Sequence, residues 1–377
     1  MGRLGTAWDA LAGGEGRPRS DEQHLAGALR WLCRSQDVTG NGGSASCYNL
    51  VLGWGDAYPE TTGYIVPTLL EYGTQREEPS LVNRAMQMAE WLLGVQRPDG
   101  AFPEGTGESG GPSVFNTGQI IFGLVAAYRE TGDDRYRRSA IRACDWLVEQ
   151  QSPEGYWDRH TYKNNVHTYS TRVAWALLEG GELVEDSRAR YREAARSNFE
   201  WAMGRQRANG WFDGAGFGDG SRAFLHTIAY TIRGLLEGGI ALRDRAIVDA
   251  ARRSADRLLA MQERDGILRG SFDDSWDDTW YYCLTGNAQM ALVWSILHRQ
   301  TGNDEYRAAA RNSVQFLKRK QVLGGPAAID GALPGSSPVF GRYMFLRYPN
   351  WGVKFFSDAL MSVSEEYEVR NLARART

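Results

Sequence analysis

Residues that signal chemistry by themselves are scarce in this 377-residue chain, which has 4 Cys and 5 His. The cysteines, Cys33, Cys47, Cys144 and Cys283, show no metal-like pairing. That excludes a disulfide scaffold and a zinc knuckle and predicts free thiols. Neither sign of charge dominates: 43 Lys and Arg stand against 46 Asp and Glu, for a net charge of −3. With no basic run interleaved with aromatics, nucleic acid is not an expected partner. No apolar run reaches the roughly 18 residues that a membrane helix needs. The first residues, Met1-Gly-Arg-Leu-Gly, lack a signal-peptide core, so the expectation is a cytoplasmic chain without a transmembrane segment. What the sequence does have is 42% hydrophobic residues, including 13 Trp and 17 Tyr, enough for one large core.

A glutamine recurs six times at the end of a Trp- or Leu-rich stretch: Gln36, Gln96, Gln151, Gln206, Gln262 and Gln321. The intervals are 60, 55, 55, 56 and 59 residues, and a glycine follows four residues after each. A fixed period of this length identifies an array of one supersecondary unit. Each unit holds an amphipathic helix ahead of the glutamine, a glycine stop, a polar loop and a second, more apolar helix. Examples of the second helix are Thr62-Gly-Tyr-Ile-Val and Thr285-Gly-Asn-Ala-Gln-Met. Small residues at Gly63, Gly118 and Gly286 suit close helix approach, so the second helix is the expected inner one. The first and sixth units keep the motif instead of turning into caps, which favours a closed ring over an open solenoid. The expected fold is all-α: an (α/α)6 toroid over residues 21–367, with an N-terminal extension 1–20 and a C-terminal tail 368–377.

The period and the Gln-x-x-Asp-Gly punctuation resemble the α/α-toroid proteins: squalene-hopene-type cyclases, protein prenyltransferase β subunits and (α/α)6 glycan-active enzymes. Strings such as Pro59-Glu-Thr-Thr-Gly-Tyr64, His226-Thr-Ile-Ala-Tyr230 and Tyr348-Pro-Asn-Trp351 also resemble bacterial proteins carrying prenyltransferase or squalene-oxidase repeats. The resemblance implies a frame, and function has to be read from the site grafted on it.

In a ring, the loops entering the inner helices meet at one mouth. They bring Tyr58 and Glu60, Asn116, His167 and Tyr169, His226, Tyr281, Tyr282, Cys283 and Asn287, and Asn350 and Trp351. Glu60 and Asn116 could instead cap their helices. The fifth loop is the most acidic, with Asp273, Asp274, Asp277 and Asp278 among Trp276, Trp280, Tyr281 and Tyr282. Mutual repulsion there would raise one carboxyl and make a proton donor. Asp273-Asp274-Ser-Trp-Asp277 also fits the Asp-Asp-x-x-Asp metal pattern of terpene synthases, but no second metal motif accompanies it. Ser275-Trp-Asp277-Asp278-Thr resembles the acid motif of squalene-hopene cyclases with its first Asp replaced by Ser275.

Loop tryptophans Trp54, Trp157, Trp211, Trp276, Trp280 and Trp351 suit stacking on sugar faces. The expected function is therefore a carbohydrate-active enzyme without a cofactor, acting on a small-molecule or oligosaccharide substrate. Glycoside hydrolysis would set Glu60 across from Asp277 or Asp278. Lyase or epimerase chemistry at a uronic acid would use His167, His226, Tyr230 and Arg172. The alternatives are a terpenoid cyclase protonating its substrate from Asp277 or Asp278, and a non-catalytic glycan-binding protein.

Overall fold

The computed structural model describes residues 17–218, 222–263 and 266–364. Most of the expected N-terminal extension and all of the C-terminal tail lie outside them. Twelve α-helices alternate along the described residues. The outer set is α1 (Asp21–Asp37), α3 (Pro79–Val95), α5 (Asp134–Gln150), α7 (Arg188–Met203), α9 (Arg245–Met261) and α11 (Asp304–Lys320). The inner set is α2 (Pro59–Gln75), α4 (Val114–Thr131), α6 (Thr171–Gly181), α8 (Leu225–Leu242), α10 (Leu284–Thr301) and α12 (Asn350–Ser362). Burial separates the two sets: every residue from Leu284 to Leu297 of α10 is buried, whereas α9 buries one stripe of Ile247, Ala250, Ala251, Ser254, Ala255 and Leu258. A wholly apolar helix belongs inside and an amphipathic one at the surface.

Each inner helix packs on its neighbours in the ring, and the first five pack on the outer helix that follows each by a tight turn. Four of the six outer helices start at side-chain caps, Ser20, Asp133, Asp244 and Asn303, which satisfy free N–H groups of the first turn. The inner helices touch closely where glycine stands. A Cβ on Gly63 would lie 2.6 Å from Ile120 Cα, and one on Gly286 would lie 2.6 Å from Leu225 Cγ.

The recurring glutamine is a staple between successive outer helices. Gln96 Nε2 donates to Gly100 O and to Ser139 O of the next outer helix, each at 2.9 Å. Gln151 Nε2 repeats this on Gly155 O and Ala194 O, and Gln262 Nε2 on Gly266 O and Ala309 O. The sixth staple closes the ring. Gln321 Nε2 donates to His24 O in α1 at 3.1 Å, Lys318 Nζ pairs with Asp21 at 2.6 Å, and Trp31 Nε1 donates to Ala328 O. The first helix is thus the outer partner of the last inner one, α12. A three-stranded sheet of β1 (Cys47–Asn49), β2 (Gly53–Trp54) and β3 (Arg347–Pro349) joins the first and last loops, with Tyr48 opposite Tyr348. No described helix is long and apolar enough to cross a membrane.

Candidate active site

Aromatic rings from successive loops and inner-helix starts form a collar at the loop end of the barrel. Its neighbouring ring centroids are Tyr58–Trp351 at 6.2 Å, Phe115–Tyr169 at 5.3 Å, Tyr169–Phe217 at 5.9 Å, Phe217–Phe224 at 6.0 Å and Phe224–Tyr343 at 5.2 Å. Trp351 Nε1 donates to the Tyr343 hydroxyl at 2.7 Å and ties the sixth loop to the collar. Tyr58, Phe115, Phe217, Phe224 and Trp351 remain partly exposed, whereas Glu60, Tyr169, His226 and Tyr230 are buried.

Glu60 sits in the first turn of α2 and accepts a hydrogen bond from the Tyr58 hydroxyl at 2.5 Å. Burial pushes its carboxyl up to about 7, and the Tyr58 hydrogen bond, the Arg172 charge and the nearby Tyr64 hydroxyl restrain the rise. A carboxyl near 7 exchanges protons readily at neutral pH, as an acid or base catalyst must. Arg172, in the first turn of α6, is 2% exposed. Its Nε donates to Gln119 Oε1 at 2.8 Å, and its Cζ lies 4.7 Å from the Tyr230 ring centre and 5.4 Å from that of Trp175. Burial lowers it to about 10, so it stays cationic at neutral pH.

His226 is buried with Nδ1 2.7 Å from Gln289 Nε2. The amide donor assigns the lone pair to Nδ1 and the proton to Nε2. Burial, and secondarily Arg172, takes this ring down to about 3, making it a neutral donor and a poor base. Around these groups the hydroxyls of Tyr64 and Tyr230, Gln119 Nε2, Gln289 Oε1 and Arg172 Nη1 are buried with no hydrogen-bond partner among the described residues. Buried polar groups are normally satisfied, so such a concentration marks a place built for polar ligand atoms.

The structure thus brings together Tyr58, Glu60, Tyr169, Arg172, His226, Tyr230 and Trp351. The acidic loop instead contributes Asp273 and Asp274 to the wall of a cavity of about 610 Å³, together with His167 and Trp211. Asp277 and Asp278 are exposed, Asp273 pairs with Arg222 at 2.9 Å and Asp274 with Arg207 at 2.7 Å. Arginines therefore answer the expected repulsion at Asp273 and Asp274, and Asp277 and Asp278 are exposed where Glu60 is buried. Among the described residues no group of three or more His, Cys, Asp and Glu could hold a metal ion.

Several other candidates are occupied by the protein itself. Asn116 Nδ2 donates to Pro103 O, Asn287 bonds the backbone of Leu268 in both directions, and Asn350 Nδ2 bonds Ser44, Ala45 and Thr61. All three brace loops, and the cap of α4 is Ser113, not Asn116. His167 stacks on Tyr169 and sets its two ring nitrogens 3.0 Å from the carbonyls of Gly216 and Tyr162. Trp157 is core, its indole N–H on Leu147 O, and Trp54 packs on Trp31 at 5.2 Å. Trp211 and Trp276 meet edge to face at 5.3 Å. Tyr281 is buried on Ser271, Tyr282 takes the Arg269 guanidinium on its face, and Cys283 Sγ caps α10. Trp280 is exposed beside Phe340. The sequence reading missed Tyr64, Gln119, Phe217, Phe224, Gln289 and Tyr343. Tyr64 could have been found, since it stands four residues after Glu60 on the same helix face.

No protein-family model matches the sequence, and no curated protein matches it. Among solved structures, the chain is similar to an unsaturated glucuronyl hydrolase specific for heparin, with a TM-score of 0.74 at 16% identity over 92% of this chain and 98% of that one. It is similar also to the unsaturated glucuronyl hydrolase of Bacillus sp. GL1, at TM-score 0.72 and 15% identity over 92% and 98%. A third is the cellobiose 2-epimerase of Bacillus thermoamylovorans B4167, at TM-score 0.70 and 11% identity over 90% and 97%. Full-length superposition at such low identity establishes architecture, and together with the closed ring of helix pairs it makes this chain an (α/α)6 toroid.

Proposed function

We propose that the protein is a carbohydrate-active enzyme acting on a uronic-acid-containing saccharide by proton transfer next to the sugar carboxylate, as a lyase or epimerase. The observation that carries this reading is the buried Glu60 carboxyl, poised near 7 under Tyr58 and beside the Arg172 cation. Arg172 would neutralise the substrate carboxylate, so that a proton on the adjacent C5 becomes acidic. Glu60 takes that proton, and the electron pair is held as an enolate against Arg172. The unpartnered hydroxyls of Tyr64 and Tyr230 can protonate the opposite face in an epimerisation, or the leaving O4 oxygen in an elimination.

Two further features support an anionic sugar. The inner helices α2, α6, α8 and α12 begin without a side-chain cap, and their positive ends converge on the collar. The solved neighbours include enzymes named for glucuronyl substrates. One buried acid also weakens two-carboxylate hydrolysis, which needs a partner across the bond.

A cyclase reading draws on the same aromatic collar, with Glu60 in place of Asp277 as the proton donor. The buried Arg172 guanidinium, its Cζ 4.7 Å from the Tyr230 ring centre, would repel a carbocation held beside Glu60, which disfavours it. The test is turnover of uronate-containing oligosaccharides followed by NMR in deuterated water and by the absorbance of the conjugated double bond. Glu60→Gln should lose about 10²- to 10⁴-fold in kcat while still binding saccharide, and Asp277→Asn should leave kcat unchanged. Activity that survives Glu60→Gln sinks the assignment. Binding without turnover in the wild type points to a glycan-binding protein, and turnover of polyenes alone points to the cyclase.

A further inference from the structure

A cavity of about 270 Å³ opens at the other end of the barrel, among the C-terminal halves of the inner helices. Arg172 forms its inner wall, with Phe122, Trp175, Arg233 and Lys354 around it. Arg233 comes from the middle of α8. Its Nε and Nη1 are buried with no hydrogen-bond partner among the described residues, while Nη2 donates to Glu237 Oε1 at 3.5 Å, the oxygen that Nε also approaches at 3.5 Å as an ion pair. Arg172 Nη1 is likewise unpartnered. Both guanidinium groups lie 5.4 Å from the Trp175 ring centre, and Phe122 packs on that ring at 4.4 Å. Lys354 is buried and bonded to Asp358, whose other oxygen accepts from Thr68 Oγ1 at 2.7 Å.

We propose that this rear cavity is a second binding site, for a small oxyanion, a phosphate or a carboxylate, gripped by Arg233 and Arg172 over the Trp175 face. Buried guanidinium N–H groups without acceptors are costly, and a planar donor fork fits the oxygens of such a group. The negative ends of the inner helices oppose an anion at the rim, but that field fades within the last turn. Arg172 and Arg233 lie deeper, the second at the ninth residue of an 18-residue helix. Burial also lowers Lys354 to about 8 and Arg172 to about 10, a cost to both cations that a bound anion would relieve. The site shares Arg172 and Tyr64 with the reaction proposed above.

The test is thermal unfolding of the full chain against inorganic phosphate, with sodium chloride at matched ionic strength as control and glucuronate in a parallel arm. Phosphate should raise Tm saturably, on the order of 2–5 °C, and Arg233→Gln should weaken its binding about tenfold or more. Glu60→Gln should leave phosphate binding intact. Should Arg233→Gln fail to fold, Arg233→Lys carries the same test, because it keeps the charge and loses the fork. A glucuronate shift that also depends on Arg233 identifies the acid group of a sugar as a ligand of the rear site; a phosphate shift alone identifies the free ion. The proposal is overturned if neither anion exceeds the chloride control, or if the shifts ignore both Arg233 variants. Uronate turnover in an enzyme that fails this test would leave the proposed reaction standing, and anion binding without turnover would do the reverse.

Discussion

The Glu60 carboxyl lies beneath the Tyr58 hydroxyl with Arg172 as its nearby cation, and burial lifts it from 4.5 to about 7. Across that window the folded protein keeps a proton that the unfolded chain has released. Glu60 therefore contributes stability that is complete below pH 4.5 and is lost as pH rises through 7, on the order of 3 kcal/mol in all. His226, lowered from 6.5 to about 3, has the opposite sign, and its contribution is lost as pH falls below 6.5. Urea unfolding of wild type and Glu60→Gln at pH 5 and pH 8 separates the two, because the difference between the proteins cancels His226. The variant should gain relative stability at pH 8 and lose that gain at pH 5. A constant difference would show that Glu60 ionises normally.

At the scale of the element, the glutamine and the glycine four residues on work together in the second, third and fifth repeats. The glycine adopts a left-handed conformation, with φ of 95°, 91° and 81° at Gly100, Gly155 and Gly266, which turns its carbonyl to the glutamine amide. A Cβ on Gly155 would also lie 2.5 Å from Ser197 O. Gln151→Ala removes the side-chain donor from Gly155 O and Ala194 O, the first of which keeps Asn198 Nδ2, and should cost about 1 kcal/mol. Gly155→Ala adds backbone strain and a clash and should cost about 2–4 kcal/mol. Thermal melts of the two variants check the order. The motif visible in the sequence is therefore a stitch between outer helices, remote from the collar, which is why it reports the fold and says nothing of the reaction.

Over the whole molecule, closure makes the two ends of the chain one structural unit: α1 supplies the outer layer for α12 and receives the bonds of Gln321, Lys318 and Trp31. Removing residues 1–37 should abolish cooperative unfolding throughout the toroid, whereas an open solenoid would lose about one repeat's stability. Near-UV circular dichroism and a denaturant melt of the truncated chain decide between them. The period, the inner and outer helix assignment and the ring were legible in the sequence because each follows from local periodicity repeated six times. The mouth was legible in part, since residues at a helix start, such as Glu60, Arg172 and His226, have a position that the repeat dictates. Phe217 and Tyr343 lie in irregular loops with no period, and the fifth loop's aspartates drew attention by their density although arginines and solvent answer them. By itself the sequence determined the architecture, because apolar spacing and stop signals act over a few residues. Only the tertiary structure decided which acid is buried and which is wet, because burial of Glu60 and exposure of Asp277 depend on side chains brought in from distant repeats.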